Sequence, residues 1–422
     1  MIEELQKRPF ARPLFLWIAG IVLQVCFPLQ KWSVCLLIPV SAVLLFSFCF
    51  SGKNARPQYY ARWLWGALFS CIVVFMSIQM TAYAEQRLYA PHESGWLEQQ
   101  ARAVQIRMAH RLDNLRLSDD EKSILATITI SYRQTMSREV LRKFSTAGVA
   151  HILSVSGFHV GILYGFLSFL FSGFSKRRFL KWVRIVLLLL ALWAFAFIAG
   201  LSVSTVRATL MSSIYLAGQA FLRRPERHNT LAATAFLLLV YNPFYLFDIG
   251  FQLSFLAVLF IFWLQRPLSR LIEVRNPLLS TPWDVLTITV AAQVGTTFLC
   301  CYYFGVVSTV FLMSNLILSL LATALIPLAV MWMILPDGMS WFGALQWAVE
   351  YLTHGFVWVV DGFGTLPGAT LSLRFDFVSL VCAYAFLGCL LLFFRYRQGR
   401  MLFVSLSILL GMLCRQIFYS GM

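Results

Sequence analysis

Apolar runs recur along almost the whole chain, each about twenty residues long and each broken by a short polar or basic patch. Coiled as helix, a run of that length matches the hydrocarbon thickness of a bilayer. The runs fall near residues 13–29, 33–50, 62–83, 148–173, 183–200, 205–222, 229–246, 249–265, 283–303, 306–333, 341–362, 377–394 and 401–418. This pattern predicts an all-α polytopic membrane protein with about thirteen transmembrane helices. The one long polar stretch, 85–147, sets Trp96, Leu97, Ala101, Val104, Ile106 and Met108 among charges, then adds a second apolar run from Ile124 to Ile128. It predicts short amphipathic helices on the outer face of the membrane, or over a channel mouth. Ser118 and Glu121, three residues apart, predict a helix start. Four segments result: a three-span membrane segment over 1–84, the external segment over 85–147, a membrane core over 148–335, and C-terminal membrane helices over 336–422.

Composition agrees. The 422 residues are 59% hydrophobic and 12% charged, which excludes a soluble domain of this size. The first apolar run is followed by a second span and has no small-residue cleavage site, so a cleavable signal peptide is not expected. A net charge of +16 invites a nucleic-acid partner, but topology accounts for much of it. Basic clusters lie at Lys7–Arg12, Lys53–Arg62, Lys176–Arg184, Arg223–Arg227, Arg266–Arg275 and Arg395–Arg400, each flanking a span. With the N-terminus inside, alternate threading puts all of them on the cytoplasmic side, as the positive-inside rule asks. Residues 85–147 and the C-terminus then lie outside. The loop around Pro336-Asp337-Gly338 has no Lys or Arg to check that parity. The nine cysteines sit in or beside apolar runs without a CxxC pair, so neither a disulfide framework nor a zinc ribbon is indicated. No metal site and no cofactor are expected.

Candidate chemistry concentrates where polar residues interrupt apolar runs. In Ala147–Gly161, at 100° per residue, Ala150, Ser154, Gly157, Gly161 and Gly165 share one face, a small-residue seam for close helix packing. His151 and His159 occupy an adjacent flank, about 80° apart. As structure, the glycines pack and the histidines bond neighbouring carbonyls. As function, polar groups facing a water-filled cavity mark a substrate path, because they are costly against lipid. Ser154 or Ser156 with a nearby histidine also admits an intramembrane hydrolase. Arg207, early in its run, has three readings: a pair with Asp248, a phosphate contact, or snorkelling to headgroups. Asp248 is a structural residue, capping the following helix or pairing with Arg207. Gln252, Gln293, Tyr302, Tyr303 and Asn315 are further polar or ring-bearing positions, and the long 306–333 run predicts a break or tilt near Ser314-Asn315. Glu350, His354 and Asp361 recur on roughly one helix face, a cavity wall or a helix end.

The stretch AGVAHILSVSGFHVG (147–161) resembles the AG-x-AH-x-L-x-[IV]-SG-x-H-x-G segment of the ComEC family, the inner-membrane DNA-uptake channels of competent bacteria. Three further blocks agree in order: Ser204–Ala208; Asn242-Pro243 with Asp248–Phe255; and Tyr302–Gly305 with Asn315-Leu316. The lead-in from Ile128 to Phe144 is similar too. The resemblance covers roughly residues 120–335 well and the N-terminal spans loosely. It implies a transmembrane channel passing single-stranded DNA into the cytoplasm, with 148–335 as the channel core. It also implies as partners membrane lipids, a DNA receptor, a cytoplasmic DNA-translocating ATPase, single-strand-binding proteins and a separate nuclease.

Two modules of that family are not expected here. With six histidines and no His-x-His, the chain lacks the zinc motif of a metallo-β-lactamase-like nuclease. The 85–147 stretch is too short and helix-like for an OB-fold. A DNA strand needs a wet, neutral-to-positive path with stacking groups. His151, Ser154, Ser156, His159, Arg207, Gln252, Gln293 and Asn315 supply candidate lining, and Tyr302, Tyr303 and Phe304 supply rings. No catalytic residue is assigned: the expected chemistry is passage without bond breaking. There is no Walker A pattern, so a pulling force has to come from a partner. The competing readings are a transporter or flippase for a smaller anionic substrate, and the hydrolase.

Overall fold

In lipid a backbone must satisfy its own N–H and C=O groups, which leaves helices as the default for an apolar chain. The computed structural model describes residues 8–28, 38–39, 42–43, 62–88, 95–175, 178–220, 226–336 and 341–420. Among them it holds fifteen α-helices and one two-stranded antiparallel ladder. The all-α, multi-pass reading holds. Six helices are long and apolar enough to cross a membrane: Trp65–Arg87, Phe179–Ile198, Ile249–Ser269, Leu279–Tyr303, Phe311–Ile334 and Phe377–Phe394. Ala11–Cys26, Gly157–Leu170 and Gly399–Met412 are apolar but shorter, and the 33–50 run lies almost wholly outside the described residues.

Three expectations change. The 148–173 run is not one helix: a 3₁₀ turn at Ala150–Leu153 and extended residues precede a helix that begins only at Gly157. The 306–333 run is interrupted before Ser314-Asn315, not at it. Val306–Ser308 forms a strand whose Val306, Val307 and Ser308 pair with Ser372, Leu371 and Thr370, and a continuous helix Phe311–Ile334 follows. Lastly, the Ile124–Ile128 run does not lie on a surface. Leu125, Ile128 and Ile130 of helix Asp119–Ile130 are fully buried, as are Thr127 and Thr129, so the helix is enclosed on every side over its last two turns.

The chain divides into two compact units. The first comprises Met1–Asn114, Ala126–Tyr132 and Val155–Phe255. Its core gathers Trp17, Ile21, Val73, Leu239 and Phe251. The Trp17 indole donates to the Leu239 carbonyl at 3.2 Å, and the Ser77 hydroxyl donates to the Trp17 carbonyl at 2.6 Å. At Gly20 a Cβ would stand 2.6 Å from that of Ser77, so helices Ala11–Cys26 and Arg62–Leu88 cross through a Gly/Ser contact. Close small-residue crossings of this kind stand in for the hydrophobic effect, which is weak between helices in lipid.

The second unit comprises Leu115–Leu125, Arg133–Ser154 and Leu256–Met422. Its most enclosed element is helix Phe311–Ile334, with Leu318, Ala322, Leu325, Ile326 and Ala329 fully buried. That helix packs on Phe342–Gly364 and on Pro277–Tyr303. The polar face of Phe342–Gly364 is a docking surface for the chain between Arg116 and Lys143. Glu350 accepts from the Arg116 N–H at 2.8 Å, His354 Nδ1 lies 2.6 Å from Glu121, and Asp361 lies 3.0 Å from Lys143 Nζ. The expected helix start is made as drawn: Glu121 accepts from the Ser118 N–H at 2.9 Å.

Candidate functional site

Two polar constellations lie where the apolar runs break, one in each unit. In the second unit, helix Arg138–Thr146 ends in a Schellman motif. The Val149 N–H donates to the Phe144 carbonyl at 2.9 Å and the Gly148 N–H to that of Ser145 at 3.0 Å. Gly148 has φ +75°, and a Cβ on it would stand 2.6 Å from that of Phe311, so only glycine fits. Two hydroxyls finish the helix end: Ser308 donates to the Thr146 carbonyl at 2.8 Å and Ser314 to the Ala147 carbonyl at 2.6 Å. The Ala150–Leu153 turn follows, and Arg133 Nε donates to the Leu153 carbonyl at 3.1 Å.

On this turn His151 is exposed. The Asn315 side chain and the Gly148 backbone lie beside its ring. The Asn315 amide donates to the Thr289 hydroxyl at 2.7 Å and its carbonyl accepts from Ser319 at 3.3 Å. Thr289 itself donates to the Val285 carbonyl at 2.8 Å. The result is a buried chain of polar groups across helices Pro277–Tyr303 and Phe311–Ile334 that surfaces at one histidine. Gln293 is half-buried one helical turn beyond Thr289. Tyr302 and Tyr303 sit edge to face at 4.9 Å between centroids, Tyr302 being exposed, and Phe304 is exposed beside them. Ser154 is half-buried on extended backbone.

In the first unit, two helix ends meet one glutamine. Helix Arg178–Ile198 closes on Gly200 (φ +68°) with a second Schellman pair, Leu201 N–H to Ala196 and Gly200 N–H to Phe197. Helix Asp119–Ile130 closes on Ser131, whose φ of +58° is uncommon outside glycine and asparagine. Gln105 Nε2 donates to the carbonyls of Ile130 at 2.7 Å and Ala199 at 3.3 Å. The Ser131 hydroxyl accepts from the Val155 N–H at 3.2 Å and from Ser202, and Ser202 lies 2.6 Å from the Thr205 hydroxyl. The strained Ser131 thus holds Val155 extended.

Ser156 then caps helix Gly157–Leu170. His159 is fully buried, and its Nδ1 accepts from the Ser156 N–H at 3.2 Å and from the Ser156 hydroxyl at 2.9 Å. A histidine occupies the place of the glutamate in a capping box, and because Nδ1 accepts, the proton of the neutral ring is on Nε2. At Gly157, Gly161 and Gly165 a Cβ would meet nothing within 4 Å. The expected packing seam on these glycines is therefore not made within the chain, because all three lie on the exposed side of the helix.

Arg207 is 6% exposed and lies 3.4 Å from Asp248 Oδ1, the same oxygen that accepts from the Phe251 N–H at 2.7 Å. Pairing and capping are both made, by one atom. A Cβ on Gly250 would stand 3.1 Å from Asp248 Oδ1 and 3.2 Å from an Arg207 nitrogen, so glycine leaves room for the guanidinium. Gln252 donates to the Leu246 carbonyl at 2.9 Å.

Of the residues singled out in the sequence, the second unit brings together His151 and Asn315, and the first Ser156 with His159 and Arg207 with Asp248. Gln105, Ser131, Thr289, Ser308 and Ser319 were missed. Their signal is faint, a lone polar residue inside an apolar run, except at Ser131, which follows a β-branched helix end. Among the described residues no group of three or more His, Cys, Asp or Glu could hold a metal ion.

Comparison with known proteins fits this arrangement. The competence-protein family model matches residues 128–398, a range that contains both constellations apart from Gln105. ComE operon protein 3 of Bacillus subtilis is 32% identical over 208 residues, 49% of this chain and 25% of that protein. An uncharacterized protein of Aquifex aeolicus is 31% identical over 129 residues, 31% of this chain and 30% of that one. The chain thus matches less than a third of the length of either relative. No solved structure matches. With the family model covering well over half of its length, the chain belongs to the ComEC family of competence proteins.

Proposed function

We propose that the chain forms a channel that passes single-stranded DNA across the bacterial inner membrane during natural transformation. One observation carries this reading: the non-helical turn from Gly148 to Ser156, pinned by side chains and bearing an exposed histidine, inside a helical membrane protein. Backbone of that kind is tolerated at membrane depth where it is enclosed by protein or lines a water-filled cavity. Helix Gly157–Leu170, at 14 residues, is shorter than a full crossing, so the turn supplies part of the span. Family membership supports the same direction.

In this reading His151, Ser154 and Gln293 face the DNA, the buried Asn315 stands behind His151, and Tyr302, Tyr303 and Phe304 offer rings on which bases of any sequence stack. The Arg207–Asp248 pair and the Ser156–His159 cap hold helix ends within the first unit. The N-terminus is cytoplasmic, residues 85–147 and the C-terminus are external, and no bond is broken and no cofactor is used. Lipids surround the channel. A DNA receptor, a cytoplasmic ATPase, single-strand-binding proteins and a separate nuclease work with it.

The test is a transformation assay in a strain lacking its own channel and complemented with this chain. Labelled DNA should become nuclease-protected, and His151→Ala or Tyr302→Ala should lower protection while membrane insertion stays normal. Wild-type uptake in both variants contradicts the site assignment. The 2.9 Å Ser156–His159 contact favours a second reading, the intramembrane hydrolase. Labelling of Ser156 by a serine-directed fluorophosphonate in folded protein would support it.

A further inference from the structure

The short helix Arg138–Thr146 has three distinct sides. Val140 and Phe144 point into the core. Glu139 and Lys143 form the flank that docks: Lys143 lies 3.3 Å from Glu139 and 3.0 Å from Asp361, so its charge is balanced. Arg138 and Arg142, one turn apart and about 5–6 Å between their Cβ atoms, point directly away from the core and are exposed. Among the described residues neither has an acidic partner. Like charges at this spacing disfavour a helix. The chain balances the inner cation twice and the outer pair not at all.

Arg133 extends the same feature. It is exposed, and its Nε is fixed to the Leu153 carbonyl on the turn that carries His151. The Arg138–Thr146 helix packs on that turn as well. Arg133 is thus fixed to the histidine turn, and Arg138 and Arg142 follow it on the outward side of the helix that leads into that turn. Forked, permanently charged donors of this kind suit phosphate oxygens.

We propose that Arg133, Arg138 and Arg142 form an anion-tracking approach that holds the sugar-phosphate backbone of a single DNA strand beside the His151 turn. The proposal deepens the strand-passage reading and rests on it. The contact is to phosphates and carries no sequence preference.

The test measures binding of a fluorescent oligo-dT to the purified full chain in nanodiscs of zwitterionic lipid, across a salt series. Each phosphate contact to a single strand contributes about 0.7 to the slope of log affinity against log salt, so Arg138 and Arg142 together account for about 1.4. R138Q/R142Q should reduce the slope by that amount, R133Q should reduce it further, and R138K/R142K should restore most of it. The double variant leaves the buried face and the Arg133–Leu153 bond untouched, so a folding failure at Arg133 does not remove the test. An unchanged slope in R138Q/R142Q, with wild type binding normally, overturns this inference alone. If that variant loses association with anionic-lipid vesicles while keeping its DNA slope, the arginines serve headgroups and the inference is overturned. No DNA binding by wild type overturns both the inference and the strand-passage reading.

Discussion

The hydroxyl of Ser314 donates to the carbonyl of Ala147 at 2.6 Å, joining positions 167 residues apart in the chain. With Ser308 on Thr146 it satisfies the end of helix Arg138–Thr146 with side chains where water is excluded. Ser314→Ala leaves a buried carbonyl short of a partner, which costs about 1–3 kcal/mol. The loss should appear as a lower melting temperature of the purified protein, with Ser308→Ala, half a turn away on the same helix end, adding to it. A melting temperature unmoved in both variants would show that the helix end is satisfied some other way.

Glycine substitutions should divide sharply. Gly148→Ala combines a left-handed conformation with a 2.6 Å approach to Phe311 Cβ, so the protein should insert poorly or lose several kcal/mol. Gly161→Ala and Gly165→Ala meet open space within a helix and should match or exceed wild type in stability, since alanine favours helix by about 1 kcal/mol. Comparable losses at all three positions would restore the packing seam that the motif spacing suggested.

That contrast shows what was legible in the sequence and what was not. Helix positions follow from apolar runs because a bilayer-length run has one stable backbone solution, and the Ser118–Glu121 start reads directly from side-chain chemistry. The break at Gly148–Ser156 was hidden because His151, Ser154 and Ser156 are too few to interrupt a bilayer-length apolar run. Tertiary partners at Ser308, Ser314, Ser131 and Arg133 hold it open, and hydrophobic periodicity does not report such partners. The Ile124–Ile130 run was misplaced for a related reason. Its place in the long polar stretch suggested a surface helix, while the buried Thr127 and Thr129 show a helix enclosed on every side over its last two turns. The ordered motif blocks located both constellations, and the Arg207–Asp248 pair was among the stated alternatives. Which alternative held depended on Gly250, whose missing side chain leaves the guanidinium its room.

At that pair, Asp248→Ala removes both a helix cap and the counter-charge of a buried arginine. Asp248→Asn keeps the cap acceptor and loses only the charge. Because the Asp248 side chain is 48% exposed, the charge effect sits near the surface value of about 0–1 kcal/mol, with the cap adding about 1. Asp248→Ala should therefore destabilise more than Asp248→Asn in denaturant or thermal titration. Equal losses would mean the cap contributes nothing.

The docking of helices Asp119–Ile130 and Arg138–Thr146 on helix Phe342–Gly364 should respond to pH at two extremes. Burial pushes the Glu121 carboxyl up, but the Ser118 amide and hydroxyl and the His354 ring bring it below its usual 4.5. A depressed carboxylate adds stability above that usual value, which is lost as pH falls through the lower folded-state value. Lys143 is raised above its usual 10.5, chiefly by Asp361, with burial opposing and Glu139 assisting. Its contribution is present below 10.5 and is lost as pH climbs through the raised value. Hydrogen exchange of residues 118–146 should accelerate beyond the intrinsic rate in both windows and stay level between them. Glu121→Gln should flatten the acid limb alone; an acid limb unchanged in that variant removes Glu121 from the account.

The central claim is that the His151 turn lines a path for DNA. It is tested most directly by uptake of labelled single strands into a nuclease-protected compartment by the full chain carrying His151→Trp. The bulky ring keeps a hydrogen-bond donor on the exposed turn but fills the space beside it. Uptake should fall at least tenfold, about 1.4 kcal/mol on the passage barrier, while insertion and melting temperature match wild type. Uptake equal to wild type in that inserted, stable variant would contradict the claim.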